Sequence, residues 1–400
     1  MLLAQAADNP AMLKFMLALE GVAPRLANAI ATPASAAVER LLETTEVELV
    51  LRADLFAHAR VNPASPIELI EHQDGIALRD PSVIIPVRMV TEPAFTLTRN
   101  RREIASGEIV RIRGSYAAVM LGGGCGLNQP GHACAFCLGR ELTQKAGERW
   151  PVDEVVEALR GAFDEGAAEF VHFHLGYFPG DDAGLFLLRP YLDAIHRHFD
   201  TIVAVTMHPP ASLRMVELTY AAGADVIAYN LEAADEAAMR RYFPGRTRFF
   251  GRARYLEALR HAARIFPNGA VWCELLLDLS SAAATAAAID ELTAAGVTPL
   301  IGFSPVRCRS VTSAEAASLL AQLYNSATRA GLSATWARDI SSAIVPFEAR
   351  FFVPNAPQIP VLIHLLTRNR LGALTTRSLA RMRRRLRVKR VRASFDSSRL

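Results

Sequence analysis

The sequence predicts an α/β fold in which about six strand–helix units form an open or partial (β/α)6 barrel of the TIM type. From residue 109 to about residue 335, short apolar runs alternate with segments of helical periodicity. Gly223, Gly296 and Gly331 follow three of the helical segments, and glycine commonly ends a helix. Because such alternation implies parallel strands joined by crossover helices, a doubly wound sheet is the alternative arrangement.

A chain of 400 residues that is 51% hydrophobic and 21% charged is expected to bury a large core and to contain more than one domain. We predict a mixed α/β cap domain at residues 1–108, the barrel at 109–335 and a C-terminal extension at 336–400. The cap is predicted to contain two helices and three short strands, at Met12–Leu19, Ala34–Glu43, Ile67–Ile70, Ile76–Leu78 and Val83–Val90.

Each element of the barrel follows from a local pattern of apolar residues. The predicted strands are Val110–Met120, Glu169–Leu175, Thr201–Thr206, Asp225–Asn230, Ala270–Leu279 and Pro299–Phe303. The predicted helices are Val152–Glu165, Leu185–His198, Ala211–Ala222, Glu236–Tyr242, Arg252–Phe266, Ala282–Ala295 and Ser313–Ala330. In either arrangement ligands collect at the carboxyl ends of the parallel strands, so the residues after each strand are the candidates for chemistry.

Three of the five cysteines lie in the loop that follows the first barrel strand. Cys125, Cys134 and Cys137 have the spacing C-x8-C-x2-C. No basic segment precedes the apolar residues of Met1–Glu20 and no apolar run reaches the roughly 18 residues of a membrane span, so we expect a cytoplasmic protein without a transmembrane segment. Clustered cysteines in a reducing compartment indicate a metal site. A Cys3His zinc site that also uses His132 is the alternative.

Three thiolates can bind three irons of a 4Fe–4S cubane and leave the fourth iron open to a small molecule. A cysteine triad after the first strand, with the aromatic Phe136 just before the last cysteine, resembles the radical S-adenosylmethionine (SAM) superfamily over about residues 109–305. The usual triad there is C-x3-C-x2-C. The longer first gap loosely resembles the loop of the Elongator catalytic-subunit family. The resemblance implies a cluster on Cys125, Cys134 and Cys137 that reductively cleaves SAM to a 5′-deoxyadenosyl radical, which abstracts hydrogen from a substrate.

The resemblance also implies residues that bind SAM. Asn230-Leu231-Glu232 is similar to the Asn-Leu-Glu or Asn-Leu-Asp segment of biotin and lipoyl synthases, whose polar pair binds the SAM ribose. Because Asn230 and Glu232 are two residues apart on a predicted strand, their side chains are expected to face the same side. The other implied positions are Gly176 and Tyr177 near the SAM amino group, Arg252 or Arg254 facing its carboxylate, and Phe136 near its adenine.

Further polar residues lie on or just after the predicted strands. His172, His174, Tyr177, His208 and Glu274 could face a substrate or could be satisfied core residues. Cys273 and Cys308 are interpreted as small buried hydrophobic residues. The strands offer no set of cysteines for a second cluster like that of biotin synthase.

The basic residues are concentrated at the C-terminus. Residues 366–400 contain twelve Lys or Arg and one Asp, whereas the rest of the chain carries a charge of −7. Apolar residues interleave with these charges, which favours an amphipathic helix. Such a tail fits RNA, an acidic lipid surface or an acidic protein.

Two classes of function therefore remain open. The first is a radical SAM enzyme that acts on a small molecule or on RNA and receives electrons from a carrier such as flavodoxin or ferredoxin. The second is a non-enzymatic, zinc-stabilised module that binds nucleic acid through its tail. Metal content distinguishes them, because the first requires iron and sulfide and the second requires zinc.

Overall fold

A computed structural model describes residues 3–25, 45–73, 75–90, 96–99, 102–121, 124–135, 137, 149–304, 308–333, 336–337 and 339–356. The predicted helix Ala34–Glu43, the basic tail and Phe136 lie outside these residues. Within them, no helix is long and apolar enough to cross a membrane.

The N-terminal region combines one helix with a curved sheet. Helix α1 is Pro10–Glu20, and the strands are β1 Ala23–Arg25, β2 Glu46–Val50, β3 Phe56–Arg60, β4 Glu68–His72, β5 Gly75–Asp80 and β6 Val83–Met89. They form one sheet in the order β1-β4-β5-β6-β2-β3. A further bridge joins Val22, just before β1, to Val61, just after β3, so the two edges of the sheet meet. A short hairpin of β7 Thr96–Arg99 and β8 Arg102–Ala105 leads to the next region.

The second region is built on seven strands, β9 Val110–Arg113, β10 Tyr116–Met120, β11 Phe170–His174, β12 Val203–Thr206, β13 Val226–Ala228, β14 Val271–Leu276 and β15 Thr298–Gly302. Strands β10 to β15 are parallel neighbours in sequence order, and β9 pairs antiparallel with β10. A doubly wound sheet reverses its order at a switch point. The sequential order therefore excludes that alternative and leaves the partial barrel.

In the described residues, nine helices lie between these strands or follow the last of them. They are α2 Val152–Asp164, α3 Leu185–His198, α4 Leu213–Ala222, α5 Glu236–Tyr242, α6 Pro244–Phe249, α7 Gly251–Ile265, α8 Ala282–Ala294, α9 Ser313–Arg329 and α10 Pro346–Ala349. The strand residues that face the helices are apolar and fully buried, as at Phe173, Val205 and Ile227. The core between sheet and helices therefore holds the barrel in shape.

Ring contacts across the sheet show that it is curled. Tyr116 on β10 and Trp272 on β14 have ring centroids 6.2 Å apart. In a flat sheet these strands, four positions apart, would be about 19 Å apart. The gap between the first and last parallel strands is spanned by a later segment, in which Trp336 accepts a hydrogen bond from the Tyr116 hydroxyl (2.5 Å) and Ile344 pairs with Ile301 on β15.

One predicted strand is two strands in the structure. The apolar run Val110–Met120 folds back on itself at Gly114, whose φ is 70° and which has no room for a Cβ beside the Asp339 carbonyl. The antiparallel hairpin of β9 and β10 results, and only β10 belongs to the parallel set.

Candidate active site

The cysteine loop follows β10 at the carboxyl end of the parallel strands and packs against the turn after β11. The Tyr177 amide donates to Cys125 Sγ (3.1 Å), and the Gly126 amide donates to the Tyr177 carbonyl (2.7 Å). A Cβ on Gly176 would lie 2.8 Å from the Cβ of Cys125. Gly176 is therefore required for the loop to approach this turn, whatever else it binds.

The other side of the loop packs against the junction of α5 and α6. The Ala135 amide donates to the Tyr242 carbonyl (2.8 Å), and the Gly245 amide donates to the His132 carbonyl (3.2 Å). A Cβ on Gly245 would lie 2.4 Å from that carbonyl oxygen. The loop is thus held at both ends by backbone hydrogen bonds and by two close approaches that need glycine.

Cys134 lies within electrostatic range of both Cys125 and Cys137. Cys125 and Cys134 are partly buried and Cys137 is exposed. Burial is the main cause that raises the pKa of Cys134 to about 12; the charges of Glu232, Cys137 and Cys125 raise it further, and Arg246 opposes them. Metal ions stabilise thiolates that repel one another in this way. The chemistry of this donor set, three thiols in one loop, suits an iron–sulfur cluster.

The zinc alternative requires His132 to turn toward the cysteines. Instead, His132 Nε2 lies 3.0 Å from Arg248 Nη1, and its ring packs edge-on against Phe249 (5.2 Å). In the part of the chain that the structure describes, no three His, Cys, Asp or Glu side chains converge on one metal position, with or without His132, so the three cysteines would draw together only when a metal binds. The arrangement gives no support to a Cys3His zinc site.

Arg246 is the buried cation of the site, with 3% of its surface exposed. Its Nη1 lies 3.1 Å from Glu232 Oε1, and its Nε donates to the Tyr255 hydroxyl (3.0 Å). Its Nη2 donates to the carbonyls of Asn230 and Leu231. Burial alone would lower the pKa of Arg246, but Tyr255, Glu232 and the Cys134 thiol raise it. The guanidinium therefore keeps its charge beside the cysteine loop.

The sequence alone does not single out Arg246. It lies in the short helix α6, among several arginines, and its burial depends on Glu232 and Tyr255, which come from different elements. The one local signal is the preceding Pro244-Gly245, where the glycine allows the cysteine loop to pack closely against the helix.

Asn230 and Glu232 both lie beyond the end of β13, so the alternation of side chains along a strand does not apply to them. Glu232 has a φ of 62°, which is uncommon for a residue other than glycine and often marks a functional site. Asn230 Oδ1 accepts from the Glu274 amide (3.1 Å), and its Nδ2 donates to Glu274 Oε2 (3.3 Å). The two residues nevertheless lie close together, because Asn230 is hydrogen-bonded to Glu274 and the charge of Glu232 raises the pKa of Glu274.

Glu274 on β14 carries its carboxyl group into this neighbourhood. Burial first, and then the charge of Glu232, raise its pKa to about 8, although Arg246 lowers it. Gly302 on the adjacent β15 leaves the room that the carboxyl needs, because a Cβ there would lie 2.6 Å from Glu274 Oε1. At neutral pH Glu274 is therefore largely a protonated acid.

The two arginines predicted to face the SAM carboxylate have other partners. Arg252 donates to the Ala234 carbonyl (3.2 Å) and to Glu291 (2.6 Å). Arg254 donates to the Pro210 carbonyl (3.0 Å from its Nε) and pairs with Glu257 (2.6 Å). Their role stays a prediction, and Arg246 rather than either of them lies beside Glu232.

Aromatic rings cover the side of the site next to Tyr177. Its ring stacks on Phe249 (5.5 Å) and meets Phe250 edge-on (5.4 Å). His208 stacks on Phe250 (5.3 Å), and its Nδ1 lies 2.7 Å from the Tyr255 hydroxyl. Burial, with a smaller contribution from Arg246, lowers the pKa of His208 to about 3, so its imidazole is neutral.

The remaining cysteines lie apart from the loop. Cys273 is fully buried, its sulfur accepts from the Leu231 amide (3.5 Å), and burial raises its pKa to about 12. Cys308 is partly exposed, and its amide donates to the buried Asp278 (3.1 Å). The prediction of a small buried residue is therefore confirmed for Cys273 and holds in part for Cys308, which is partly buried against the hydrophobic core.

No protein-family profile matches the sequence, and no curated protein is detectably similar to it. Among solved structures, the chain is similar to the FeFe-hydrogenase maturase HydG from Carboxydothermus hydrogenoformans, with 16% identity, 56% of this chain and 53% of that chain covered, and a TM-score of 0.42. The chain thus spans about half the length of that protein.

Two further similar structures are methyltransferases. The radical SAM methyltransferase TsrM from Kitasatospora setae, solved with tryptophan and a SAM analogue, is 14% identical over 59% of this chain and 45% of its own, with a TM-score of 0.36. A radical SAM methyltransferase from Sphaerobacter thermophilus is 12% identical over 70% and 82%, also with a TM-score of 0.36. At such identities and TM-scores, the chemistry has to be inferred from the residues of the site.

Proposed function

We propose that this chain is a radical SAM enzyme in which Cys125, Cys134 and Cys137 bind a 4Fe–4S cluster. The observation that carries the proposal is one loop with three thiols, fixed at the carboxyl end of a partial barrel beside the buried Arg246–Glu232 pair. When bound, such a cluster supplies the electron that cleaves SAM to a 5′-deoxyadenosyl radical, which takes hydrogen from a substrate.

The residues around the loop fit the polar groups of SAM. Glu232 and Asn230 offer a carboxylate and an amide, which can hydrogen-bond the two hydroxyls of a ribose. Arg246 offers a charged guanidinium for a carboxylate, and it would exchange part of its pairing with Glu232 for that contact. Gly176 and Tyr177 bring backbone close to Cys125, where an amino group would be held near the cluster.

The barrel protects the reacting groups from water and oxygen. Apolar residues seal the sheet against the helices, and the aromatic cluster of Tyr177, Phe249 and Phe250 covers one side of the loop. An external one-electron donor of the flavodoxin or ferredoxin kind completes the proposal. The RNA-modifying alternative depends on the basic tail, which lies outside the described residues, and no described contact favours it.

The test is formation of 5′-deoxyadenosine by the anaerobically reconstituted full chain with SAM and dithionite. We expect product from the wild type, none from Cys134→Ala, and continued product from Cys273→Ala, because Cys273 alternates with the inward-facing Trp272 and so lies on the helix side of β14. Product from Cys134→Ala equal to that of the wild type would refute the assignment. The Cys273→Ala control shows whether losing any cysteine harms the fold.

A further inference from the structure

The inner face of the barrel can be read from the register of its strands. His172 on β11 pairs with Ala204 on β12, and His174 pairs with Thr206. Thr206 in turn pairs with Ala228 on β13, which pairs with Trp272 on β14. Because side chains of paired residues point to the same side of a sheet, His172, His174, Thr206 and Trp272 share one face. Ring contacts of Tyr116 and His172 with Trp272 across the barrel identify this face as the interior.

Three rings close the lower end of this interior. Tyr116, His172 and Trp272 lie with centroids 5.8 to 6.2 Å apart, each pair from different strands. Tyr116 and Trp272 are almost completely buried. We call these three rings the floor of the interior.

Above the floor the wall is polar and partly accessible. His174, Thr206, Asn230 and Glu274 all keep part of their surface exposed, although strands surround them. Their strand neighbours on the helix side, Phe173, Val205 and Cys273, are fully buried. The contrast follows the two faces of the sheet, so the space above the floor is an accessible lumen that opens toward the cysteine loop.

The wall of this lumen carries little charge at neutral pH. The His172 and His174 rings lie 4.0 Å apart, which disfavours charging both. Burial lowers the pKa of His172 well below its usual value and, with Arg113, lowers that of His174 to about 4. Glu274, as described above, is largely protonated.

The charged residues that border the lumen are paired. Arg113, which lowers the pKa of His174, forms ion pairs with Glu46 and Glu48, and Arg246 forms one with Glu232. His172 is hydrogen-bonded to Thr206 (2.8 Å), whereas within the described residues no group hydrogen-bonds to the His174 ring. His174 is thus the hydrogen-bonding group of the wall that is available to a ligand.

We propose that this lumen binds an uncharged, planar, hydrogen-bonding group of the substrate, such as an amide or a nitrogen heterocycle, in contact with His174 and Glu274. A neutral wall can pair the donors and acceptors of such a group. Because Arg113 is paired with Glu46 and Glu48, and Arg246 is engaged by Glu232 and by the carboxylate of bound SAM, no counter-charge is left for a carboxylate, a phosphate or an ammonium group of the substrate, and these lose their hydration without compensation. The inference rests on the proposed function in calling the bound molecule a substrate and in placing the SAM carboxylate against Arg246.

Three probes of one size test the selectivity: nicotinamide, nicotinate and 3-(aminomethyl)pyridine, which are neutral, anionic and cationic at pH 7. Binding to the anaerobically reconstituted full chain, with SAM added so that Arg246 is occupied, is measured by saturation-transfer NMR titration. We expect nicotinamide to bind at least about tenfold more tightly than either charged probe. His174→Phe should weaken nicotinamide about tenfold, and Glu274→Gln should change it less than about threefold, since an amide keeps the hydrogen bonds of a protonated acid.

The exposed His198 provides the matched control, because His198→Phe should leave nicotinamide binding unchanged. The proposal would be overturned if nicotinate bound as tightly as nicotinamide or more tightly, or if nicotinamide did not bind. It would also be overturned if His174→Phe bound nicotinamide as tightly as the wild type. The same samples are assayed for 5′-deoxyadenosine. Product without probe selectivity rejects the lumen proposal alone, and selectivity without product rejects the proposed function alone.

Discussion

The two ends of the barrel differ in what fills them: apolar and aromatic packing at the amino ends of the parallel strands, and polar and charged side chains at their carboxyl ends. At the lower end Tyr116 and Trp272 are buried and hydrogen-bonded, and later chain segments close the gap between the outer strands. At the upper end a buried cation, two carboxyl groups and a residue of positive φ gather beside the cysteine loop. The lower end is arranged for stability, whereas the upper end gathers polar groups that can exchange their present partners for a ligand. Variants at the lower end should therefore lower the free energy of unfolding, whereas variants at the upper end should mainly lower SAM affinity or iron content.

Arg246→Met should show the largest effect at the upper end. The variant keeps the length of the side chain but removes the charge that would hold the SAM carboxylate, and truncating one partner of a buried, hydrogen-bonded charge pair across a binding interface costs about 2–5 kcal/mol. It also leaves Glu232 without its cation. We expect SAM affinity to fall by at least about thirtyfold, the low end of that range. Equilibrium dialysis with labelled SAM on the reconstituted protein measures it. Arg252→Met is the matched variant, and a larger loss there would restore Arg252 as the carboxylate partner.

Gly176→Ala should disturb the cluster through the backbone of Cys125. The added Cβ would lie 2.8 Å from the Cys125 Cβ, and overpacking of this kind costs about 1–3 kcal/mol. We expect a lower iron content after reconstitution with an unchanged far-ultraviolet circular dichroism spectrum. Gly107→Ala, where a Cβ would meet nothing within 4 Å, is the control. Full iron content in Gly176→Ala would show that the loop does not depend on this close approach.

Glu274 should make stability fall as the pH rises. Its pKa is about 8 in the folded chain and near 4.5 when unfolded, so between these values only the folded state holds the proton. By linkage, this carboxyl lowers the free energy of unfolding by at most about 1.4 kcal/mol for each pH unit in that window. Urea unfolding of the metal-free chain from pH 5 to 8 should give a steeper decline for the wild type than for Glu274→Gln. Parallel curves would place the pKa of Glu274 near its ordinary value.

Tyr116→Phe should show the smallest effect, at the lower end. The change removes the hydrogen bond to the Trp336 carbonyl, which leaves that carbonyl with one partner fewer and costs about 1 kcal/mol. The midpoint of urea unfolding should move down with an unchanged slope. A loss above about 3 kcal/mol would mean that this bond holds the barrel closed.

The elements of the barrel could be predicted from sequence because their periodicity is local. The hairpin at Gly114 could not be predicted in this way, because one apolar run covers both of its strands. Strand β2 is absent from the predicted elements, although residues 46–49 alternate polar and apolar as in a half-buried strand. What the alternation does not reveal is that Glu46 and Glu48 pair with Arg111 and Arg113 on β9. The spacing of the cysteines identifies the loop, but no local pattern encodes the burial of Arg246. That burial arises from the α5–α6 corner, which packs on the loop from more than a hundred residues away in sequence.

The central claim is that three cysteines bind a cluster with one iron open to SAM. The most direct measurement is the electron paramagnetic resonance spectrum of the dithionite-reduced, anaerobically purified protein before and after addition of SAM, with iron and sulfide analysis of the same sample. We predict about four irons and four sulfides per chain and a spectrum that SAM changes. A colourless protein that contains zinc, or a spectrum that SAM leaves unchanged, would contradict it.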